Sequence, residues 1–197
     1  MAKKMGLPVD KLIVATNEND ILQRVINTGK YRPNKVKPSL SPSMDIQVSS
    51  NFERLLFDIL NGDDKKLTSL MNDLKTKGFF NLDQETVKII KKDFCAVKIS
   101  DEETLAIIKN LNIESKFILD PHTATAFGAV RKISNLSETI ILGTAHPYKF
   151  FETVKKATGI EIKAPPQLLN MVDKEERFDI MVNNTSKIKN YILEKTI

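Results

Sequence analysis

Three short segments of this sequence place hydroxyl, amide, imidazole and carboxylate side chains directly after apolar runs. They are residues 16–20 (TNEND), 120–124 (DPHTA) and 143–147 (GTAHP). In open α/β sheets, ligands bind outside the carboxyl ends of the strands. We therefore predict that these polar turns lie at the same edge of a sheet. For Asn17 and Asn19, the alternative is that they only cap the helix that follows them.

Residues 41–57 (SPSMDIQVSSNFERLLF) form the stretch around which we expect the rest of the chain to be organised. A polar loop leads into a mostly apolar run, residues 44–48, which we predict to be strand-like. Ser50 and Glu53 have the spacing of a capping box, and apolar side chains follow at helical spacing. Anions and polar cofactor atoms are commonly held at such a helix N-terminus. The polar side chains delivered there are Asp45, Ser49, Ser50 and Asn51. The alternative is a capped helix with nothing bound.

The hydrophobic pattern predicts that strands and helices alternate along the chain. The predicted strands are residues 11–15, 94–99, 116–119 and 138–142. The predicted helices are residues 21–29, 50–59, 65–77, 83–92, 100–111, 121–133, 148–157 and 186–195. A second capping box, Ser100 with Glu103, opens one of these helices. A strand, a polar turn and a helix are the repeating unit of an α/β fold, which is the predicted fold class.

Length and composition limit the class of protein. The chain has 197 residues, which suits one domain or slightly more, and a net charge of +5. The lysines are spread along the predicted helices, which favours a solvated surface over a nucleic-acid interface. The single Cys95 excludes an internal disulfide and fits a reducing compartment. Since no apolar run has membrane-spanning length and residues 1–12 lack a signal-peptide core, we predict a cytoplasmic protein.

Several common chemistries lack their motifs here. A zinc site would need His122, His146 and a carboxylate such as Asp120 to converge, and the two histidines do not have H-x-x-x-H spacing. The sequence contains no G-x-S-x-G nucleophile elbow, no G-x-x-x-x-G-K-[ST] phosphate loop and no G-x-G-x-x-G dinucleotide motif. The residue types alone therefore lead to an α/β domain with polar turns and to no specific reaction.

Four blocks of the sequence, taken together and in this order, resemble the C-terminal half of threonine synthase. The blocks are LIVATNENDIL, SPSMDIQVSSNFERLLF, DPHTA and GTAHPYKF, and the resemblance runs from about Lys4 to about Val154. Threonine synthase is a pyridoxal-phosphate (PLP) enzyme of fold type II, and the family converts O-phosphohomoserine and water to threonine and phosphate. The resemblance implies PLP as cofactor. It also implies part of a tryptophan synthase β-like sheet with flanking helices, truncated at the N-terminus.

The resemblance further implies roles for particular residues. Thr144 matches the family residue whose hydroxyl faces the pyridine nitrogen of PLP, in contrast to the Asp partner of other PLP folds. Asn17 and Asn19 match the block that lines the cofactor and substrate cleft. The residues that match the SSNFER block near the substrate cleft are Ser49, Ser50, Asn51 and Arg54. The helix phase also allows Arg54 to form a salt bridge instead.

The DPHTA and GTAHP blocks carry residues that the resemblance marks as supports. Asp120 and His122 are expected to act as scaffold for their turn as much as to line a site. His146 and Pro147 are expected to shape the turn that presents Thr144. The resemblance implies no metal ligand.

The catalytic lysine of the family lies well upstream of the matched region, and so does the glycine-rich loop that holds the PLP phosphate. No lysine of this chain stands in the matching context, so we assign no catalytic residue. Residues 1–6 have the composition of a helix end, and we expect an N-terminal portion to be missing. We predict that residues 1–157 are the C-terminal part of a threonine synthase-like α/β domain and that residues 158–197 are a helical tail.

Two functions from different classes remain open. In the first, the chain is the C-terminal portion of a threonine synthase, inactive in isolation, with the N-terminal half of a split enzyme as its possible partner. In the second, it is a non-catalytic α/β binding or interaction module derived from that fold. A half-enzyme should expose an apolar face, whereas a module should have a polar one.

Overall fold

A computed structural model of the chain describes residues 2–133, 138–169 and 174–196. By its internal contacts the chain divides into two compact units, Met1–Lys163 and Ala164–Ile197. The first unit contains the sheets and the polar segments singled out above. The described residues of the second form two helices. The domain boundary expected after residue 157 stays a prediction.

The strands and helices alternate along the first unit. The strands are β1 (Leu12–Thr16), β2 (Lys30–Tyr31), β3 (Phe80–Asn81) and β4 (Phe94–Lys98). The helices are α1 (Ile21–Thr28), α2 (Phe52–Ile59), α3 (Asp64–Lys77), α4 (Gln84–Asp93), α5 (Asp101–Ser115), α6 (Pro121–Lys132), α7 (Phe151–Thr158), α8 (Pro166–Leu169) and α9 (Thr185–Thr196). Short 3₁₀ turns occupy Lys3–Met5, Pro42–Met44 and Pro147–Phe150.

Strands β1 and β4 form a parallel pair, with Leu12 opposite Phe94 and Thr16 opposite Lys98. The backbone N–H of Ile99 extends the ladder by donating to the Thr16 carbonyl over 2.9 Å. Both strands therefore end at the same edge, as an α/β site requires. Strands β2 and β3 form a separate antiparallel pair.

Two clusters of buried side chains support the fold. The first lies among α1, α2, α4 and the short strands, and comprises Ile21, Val25, Ile26, Tyr31, Phe52, Leu56, Phe80, Leu82, Val87, Ile90 and Ala96. The second lies between α5 and α6, and comprises Ile99, Ile107, Ile108, Leu119, Ala124 and Ala129. At Gly128 an added Cβ would lie 2.5 Å from Ile107 Cδ1, so α6 approaches α5 closely because this residue has no side chain.

The second capping box is confirmed. The Ser100 side chain accepts from the Glu103 backbone N–H, and the Glu103 carboxylate accepts from the Ser100 N–H. Because both orphan donors are satisfied, α5 begins sharply at Asp101, directly after β4.

The capping box predicted at Ser50 is wrong. Helix α2 begins at Phe52, its N-cap is Asn51, and no side chain caps it. Asn51 itself has helical backbone angles (φ −74°, ψ −18°), whereas a capping residue needs an extended conformation. Ser50 and Glu53 therefore have the spacing of a capping box but do not form its hydrogen bonds.

Three predicted strands are also wrong. Residues 44–48 are not extended, because Pro42–Met44 forms a 3₁₀ turn and the chain then folds around the Asp45 side chain. Residues 116–119 begin at Lys116, which is left-handed (φ 61°), and do not pair with another strand. Residues 138–142 are irregular, with Ile140 and Leu142 exposed. A strand is stabilised by its ladder, and the two sheets of the described ranges are built from β1 with β4 and β2 with β3.

Candidate functional site

The amides of Asn17 and Asn19 lie directly after β1 and are almost completely buried, with 1% and 2% of their surface exposed. The Asn17 side-chain oxygen accepts from the Asn19 backbone N–H over 2.8 Å, which closes a tight turn. Neither side chain caps α1, whose N-cap residue is Asp20. The capping alternative is therefore wrong for these two residues, and they organise the loop instead.

The Asp45 carboxylate is the centre of this network. Its Oδ1 accepts from Asn17 Nδ2 at 2.7 Å, Asn19 Nδ2 at 2.9 Å and Ser39 Oγ at 2.6 Å. Its Oδ2 accepts from the Ser39 backbone N–H at 2.9 Å. Four neutral donors thus stabilise one charge, and they join the end of β1 to residues 39–45, which are distant in sequence.

The remaining donors and acceptors of the two amides are also used. Asn17 Nδ2 donates to Ser41 Oγ at 3.0 Å. Asn19 accepts from the Lys37 backbone N–H at 2.9 Å and donates to the Lys37 carbonyl at 2.8 Å. Gln47, which is buried, accepts from Arg24 Nη2 at 3.1 Å. The amides therefore hold the backbone of residues 37–47 rather than presenting free polar atoms.

Asp120 is a buried carboxylate at the N-cap of α6, and Pro121 occupies the first turn. Its Oδ1 accepts from the His122 backbone N–H at 2.9 Å and from the Thr123 N–H at 3.3 Å. The helix N-terminus favours negative charge at this position. The Thr123 hydroxyl donates to the other carboxylate oxygen. Asp120 thus supports its turn, which is the scaffold role that the resemblance implies.

Thr144 lies on an irregular segment before the 3₁₀ turn Pro147–Phe150, and its side chain is exposed. Its backbone N–H donates to Thr123 Oγ1 at 3.4 Å. Its hydroxyl makes no hydrogen bond within the described ranges. At the start of the 3₁₀ turn, His146 Nδ1 accepts from the Tyr148 N–H at 3.1 Å and caps the turn. Thr144 therefore has an anchored backbone and an available hydroxyl.

The four residues of the SSNFER block do not join this network through any hydrogen bond among the residues that the structure describes. The Ser49 backbone N–H donates to the Tyr31 hydroxyl at 2.8 Å. Arg54 Nη2 donates to Asn51 Oδ1 at 2.6 Å, on the exposed side of α2, and Ser50 is exposed. The structure therefore places Ser50, Asn51 and Arg54 on a polar surface beside the buried cluster.

Tyr31 is a buried structural contact of this region that the sequence did not indicate. Its ring stacks between Phe52 (centroids 5.5 Å apart) and Phe80 (4.6 Å). Burial raises the pKa of the Tyr31 hydroxyl, and the hydrogen bond from the Ser49 N–H partly offsets this rise. The central role of Asp45 was missed as well, because its partners Asn17 and Asn19 are separated from it by 28 and 26 positions.

Three further features of the described residues concern unpaired polar groups, metal ligands and membrane spans. The Thr16 hydroxyl, at the end of β1, is buried and has no hydrogen-bond partner among the residues that the structure describes. No cluster of His, Cys, Asp and Glu side chains in residues 2–133, 138–169 and 174–196 could hold a metal ion. Across the same ranges, no helix has the length and apolar character of a membrane span.

Several known proteins of similar sequence are threonine synthases. The family profile described as "Threonine synthase, C-terminal" matches residues 123–192. The threonine synthase of Pseudomonas aeruginosa is 41% identical over 195 residues, which cover 98% of this chain and 42% of that protein. The threonine synthase of Saccharomyces cerevisiae is 44% identical over 175 residues, covering 79% of this chain and 34% of that protein.

A solved structure agrees with this assignment. The crystal structure of PLP-bound threonine synthase from Brucella melitensis superposes with a TM-score of 0.86 at 39% identity, over 98% of this chain and 42% of that one. The α/β fold is therefore the one found in the C-terminal part of these enzymes, and the chain spans less than half the length of the relatives it matches. In sequence and in fold, this chain belongs to the threonine synthase family, as a C-terminal region of it.

Proposed function

We propose that this chain acts as the C-terminal portion of a PLP-dependent threonine synthase, which converts O-phosphohomoserine and water to threonine and phosphate. The observation that carries the proposal is the state of Thr144. Its backbone is held by Thr123, the residue is exposed, and its hydroxyl makes no hydrogen bond in the described part of the chain. A hydroxyl in this state is suited to meet the pyridine nitrogen of the cofactor.

The residues present fit PLP at this one contact. Thr144 supplies a hydroxyl that can donate to or accept from the ring nitrogen without a change of charge. A carboxylate at that position would favour a protonated ring, whereas a hydroxyl does not. PLP, when bound, supplies an electron sink for the substrate. Thr144 would help to orient the cofactor ring in this proposal.

Asn17 and Asn19 form the cofactor side of the cleft in this proposal. Their amides are fully engaged with Asp45, Ser41 and Lys37, so they would act by fixing the shape of the wall. Their burial supports this role, because a buried and completely bonded amide pair has one stable arrangement.

The substrate side of the cleft is proposed to consist of Ser49, Ser50, Asn51 and Arg54. Arg54 is the one cation of this group, and its guanidinium geometry suits a phosphate group. In the structure it is held by Asn51, which orients the guanidinium. Tyr31 anchors the Ser49 backbone from the buried side.

We expect the isolated chain to be inactive. None of its lysines matches the family's catalytic lysine, and no glycine-rich phosphate loop is present. The proposed partner is an N-terminal half that supplies both. Exposed apolar side chains support a partner of this kind over a polar-faced interaction module: Phe117 (60% exposed), Leu142 (74%) and Ile140 (85%).

The test combines this chain with the separately produced N-terminal part of the Brucella melitensis enzyme that it does not cover. We expect phosphate release from O-phosphohomoserine with the mixture and none with either part alone. A Thr144→Val variant should weaken PLP binding by the mixture about tenfold, as expected for the loss of one buried hydrogen bond. Thr144→Ser, which keeps the hydroxyl, should retain most of the affinity.

The matched control is Thr68→Val, at an exposed position of α3. It makes the same change of side chain away from the site and should bind PLP as the unmodified chain does. Equal PLP affinity for Thr144→Val and Thr68→Val would contradict the assignment of Thr144. A monomeric chain that binds neither the N-terminal part nor a hydrophobic dye would favour the interaction module.

A further inference from the structure

His122 lies where three segments of the chain meet. Its Nε2 accepts from the backbone N–H of Ser43 at 3.2 Å, and its Nδ1 lies 3.1 Å from Asp120 Oδ1. On a third side its ring contacts that of Phe150, with centroids 4.6 Å apart. The residue is 7% exposed, so these contacts replace water around the whole imidazole.

The partners determine which nitrogen carries the proton. A backbone N–H can only donate, so Nε2 must present a lone pair to Ser43. Asp120 already accepts from the Thr123 hydroxyl and from two backbone N–H groups, and a carboxylate facing Nδ1 needs a donor there. His122 is therefore the neutral Nδ1–H tautomer, and the opposite tautomer would lose both hydrogen bonds at once.

Two links run from this imidazole to Thr144. The first passes through Asp120 to the Thr123 hydroxyl, which accepts from the Thr144 backbone N–H. The second is the Phe150 ring, which belongs to the 3₁₀ turn immediately after the Thr144 segment. The Ser43 contact lies on the opposite side, two residues from Asp45.

We infer that His122 is a positioning residue, held as the Nδ1–H tautomer, that ties the loop carrying Ser43 to the segment carrying Thr144. The inference rests on the proposed function in one respect, since these segments carry the proposed cofactor contacts. The loop is the one whose Asp45 holds Asn17 and Asn19. His122 thereby keeps the two proposed cofactor-facing parts of the chain in register without touching the cofactor itself.

The tautomer can be measured on the full chain without any substitution. In ¹⁵N NMR spectra that correlate the imidazole nitrogens with the ring protons, we expect His122 to show a protonated Nδ1 and an unprotonated Nε2 at neutral pH. A protonated Nε2, in a neutral or a charged ring, would overturn the inference.

Two variants separate the contacts of the ring. In His122→Asn the amide can still donate to Asp120 but is too short to accept from Ser43, so we expect amide hydrogen exchange at Ser43 to be about fivefold faster. Because His122 links the Ser43 loop to the Thr144 segment, we expect amide hydrogen exchange at Thr144 to become faster as well, by about twofold or more. His122→Gln can place an oxygen near the position of Nε2, and it should return Ser43 exchange to within about twofold of the unmodified chain.

The control is His146→Asn, the same substitution at an exposed histidine that caps the 3₁₀ turn, where Asn also caps well. Ser43 exchange should be unchanged in it. Faster exchange at Ser43 but not at Thr144 in His122→Asn would show that the two segments are not coupled and would overturn the inference. Because none of these measurements uses PLP, a failure of PLP binding would refute the proposed function alone.

Discussion

The Asp45 carboxylate accepts four hydrogen bonds from side chains and backbone that are far apart in sequence, and it carries no ion pair among the described residues. Because all of these donors bind one carboxylate, their positions depend on the position of the Asp45 side chain. The end of β1 and the proline-containing loop therefore form a single polar unit, and the amides of Asn17 and Asn19 depend on it.

Replacing Asp45 by Asn should destabilise the protein by about 2 kcal/mol, because a side-chain N–H₂ would face the Ser39 N–H or one of the amide donors and leave it unpaired. Urea unfolding at neutral pH measures the difference. Asp10→Asn is the control, since Asp10 is exposed, and it should change the free energy of unfolding by less than about 0.5 kcal/mol. Equal effects of the two substitutions would contradict the central role of Asp45.

The sequence indicated which residues belong to the candidate site, but it did not indicate which hydrogen bonds join them. The TNEND, DPHTA and GTAHP turns were recognised by their polar composition. The hydrogen bonds that organise them join positions such as Asn17 and Asp45, or Ser43 and His122, which are 28 and 79 residues apart. Local spacing carries no information about such contacts, because they depend on how the helices and strands pack.

At the scale of secondary structure, the same S-x-x-E motif occurs twice and forms a capping box once. Ser100 follows the end of β4 by two residues, and this capping residue is extended (φ −79°, ψ 166°). At Ser50 the chain arrives from a turn that is tied to Asp45 and Tyr31, and the helix begins two residues later. The S-x-x-E motif is therefore not sufficient to form a capping box, because the backbone of the capping residue must also be extended.

Substitution of both serines tests this difference. Ser100→Ala should reduce the free energy of unfolding by about 1 kcal/mol, because the Glu103 N–H loses its acceptor. Ser50→Ala makes the same change at the motif that is not formed and should have an effect within about 0.5 kcal/mol. Urea unfolding of the two variants under one set of conditions provides the measurement. A loss at Ser50 as large as that at Ser100 would show that the first capping box forms in solution.

Helices were predicted more reliably than strands, for a physical reason. A helix satisfies its own backbone groups, so the periodicity of a segment such as residues 65–77 is enough to indicate α3. A strand needs a neighbouring strand, and the apolar runs at residues 116–119 and 138–142 do not belong to either sheet of the described ranges. The two apolar runs that pair with each other, β1 and β4, were predicted correctly as strands.

At the scale of the whole molecule, charged side chains at element ends have pKa values that favour their charged forms. Hydrogen bonds from the Thr86 N–H and then Lys66 lower the pKa of Asp83, which caps α4. Hydrogen bonds from Lys132 and then the Ser100 N–H lower that of Glu103. A hydrogen bond from Lys3 lowers the pKa of Asp93, and one from Lys155 lowers the pKa of Glu161. The pKa values of these four carboxylates are thus all lowered.

The direction of these shifts determines how stability depends on pH. A carboxyl group whose pKa is lower in the folded state stabilises that state above its unfolded pKa, which is 3.8 for Asp and 4.5 for Glu. The contribution is lost as the pH falls through the lowered folded value. The raised pKa values of Lys66 and Lys155 act oppositely, since their contribution is present below 10.5 and is lost only at more alkaline pH.

We therefore expect the free energy of unfolding to be nearly constant between about pH 6 and about pH 8 and to fall at about pH 3. Urea unfolding across this range measures it. Asp83→Asn keeps a capping oxygen but has no charge to lose, so the decrease at acidic pH should be smaller in this variant, whereas Asp10→Asn should show the full decrease. An unchanged urea midpoint at about pH 3 would mean that the charged ends of these elements do not stabilise the folded chain.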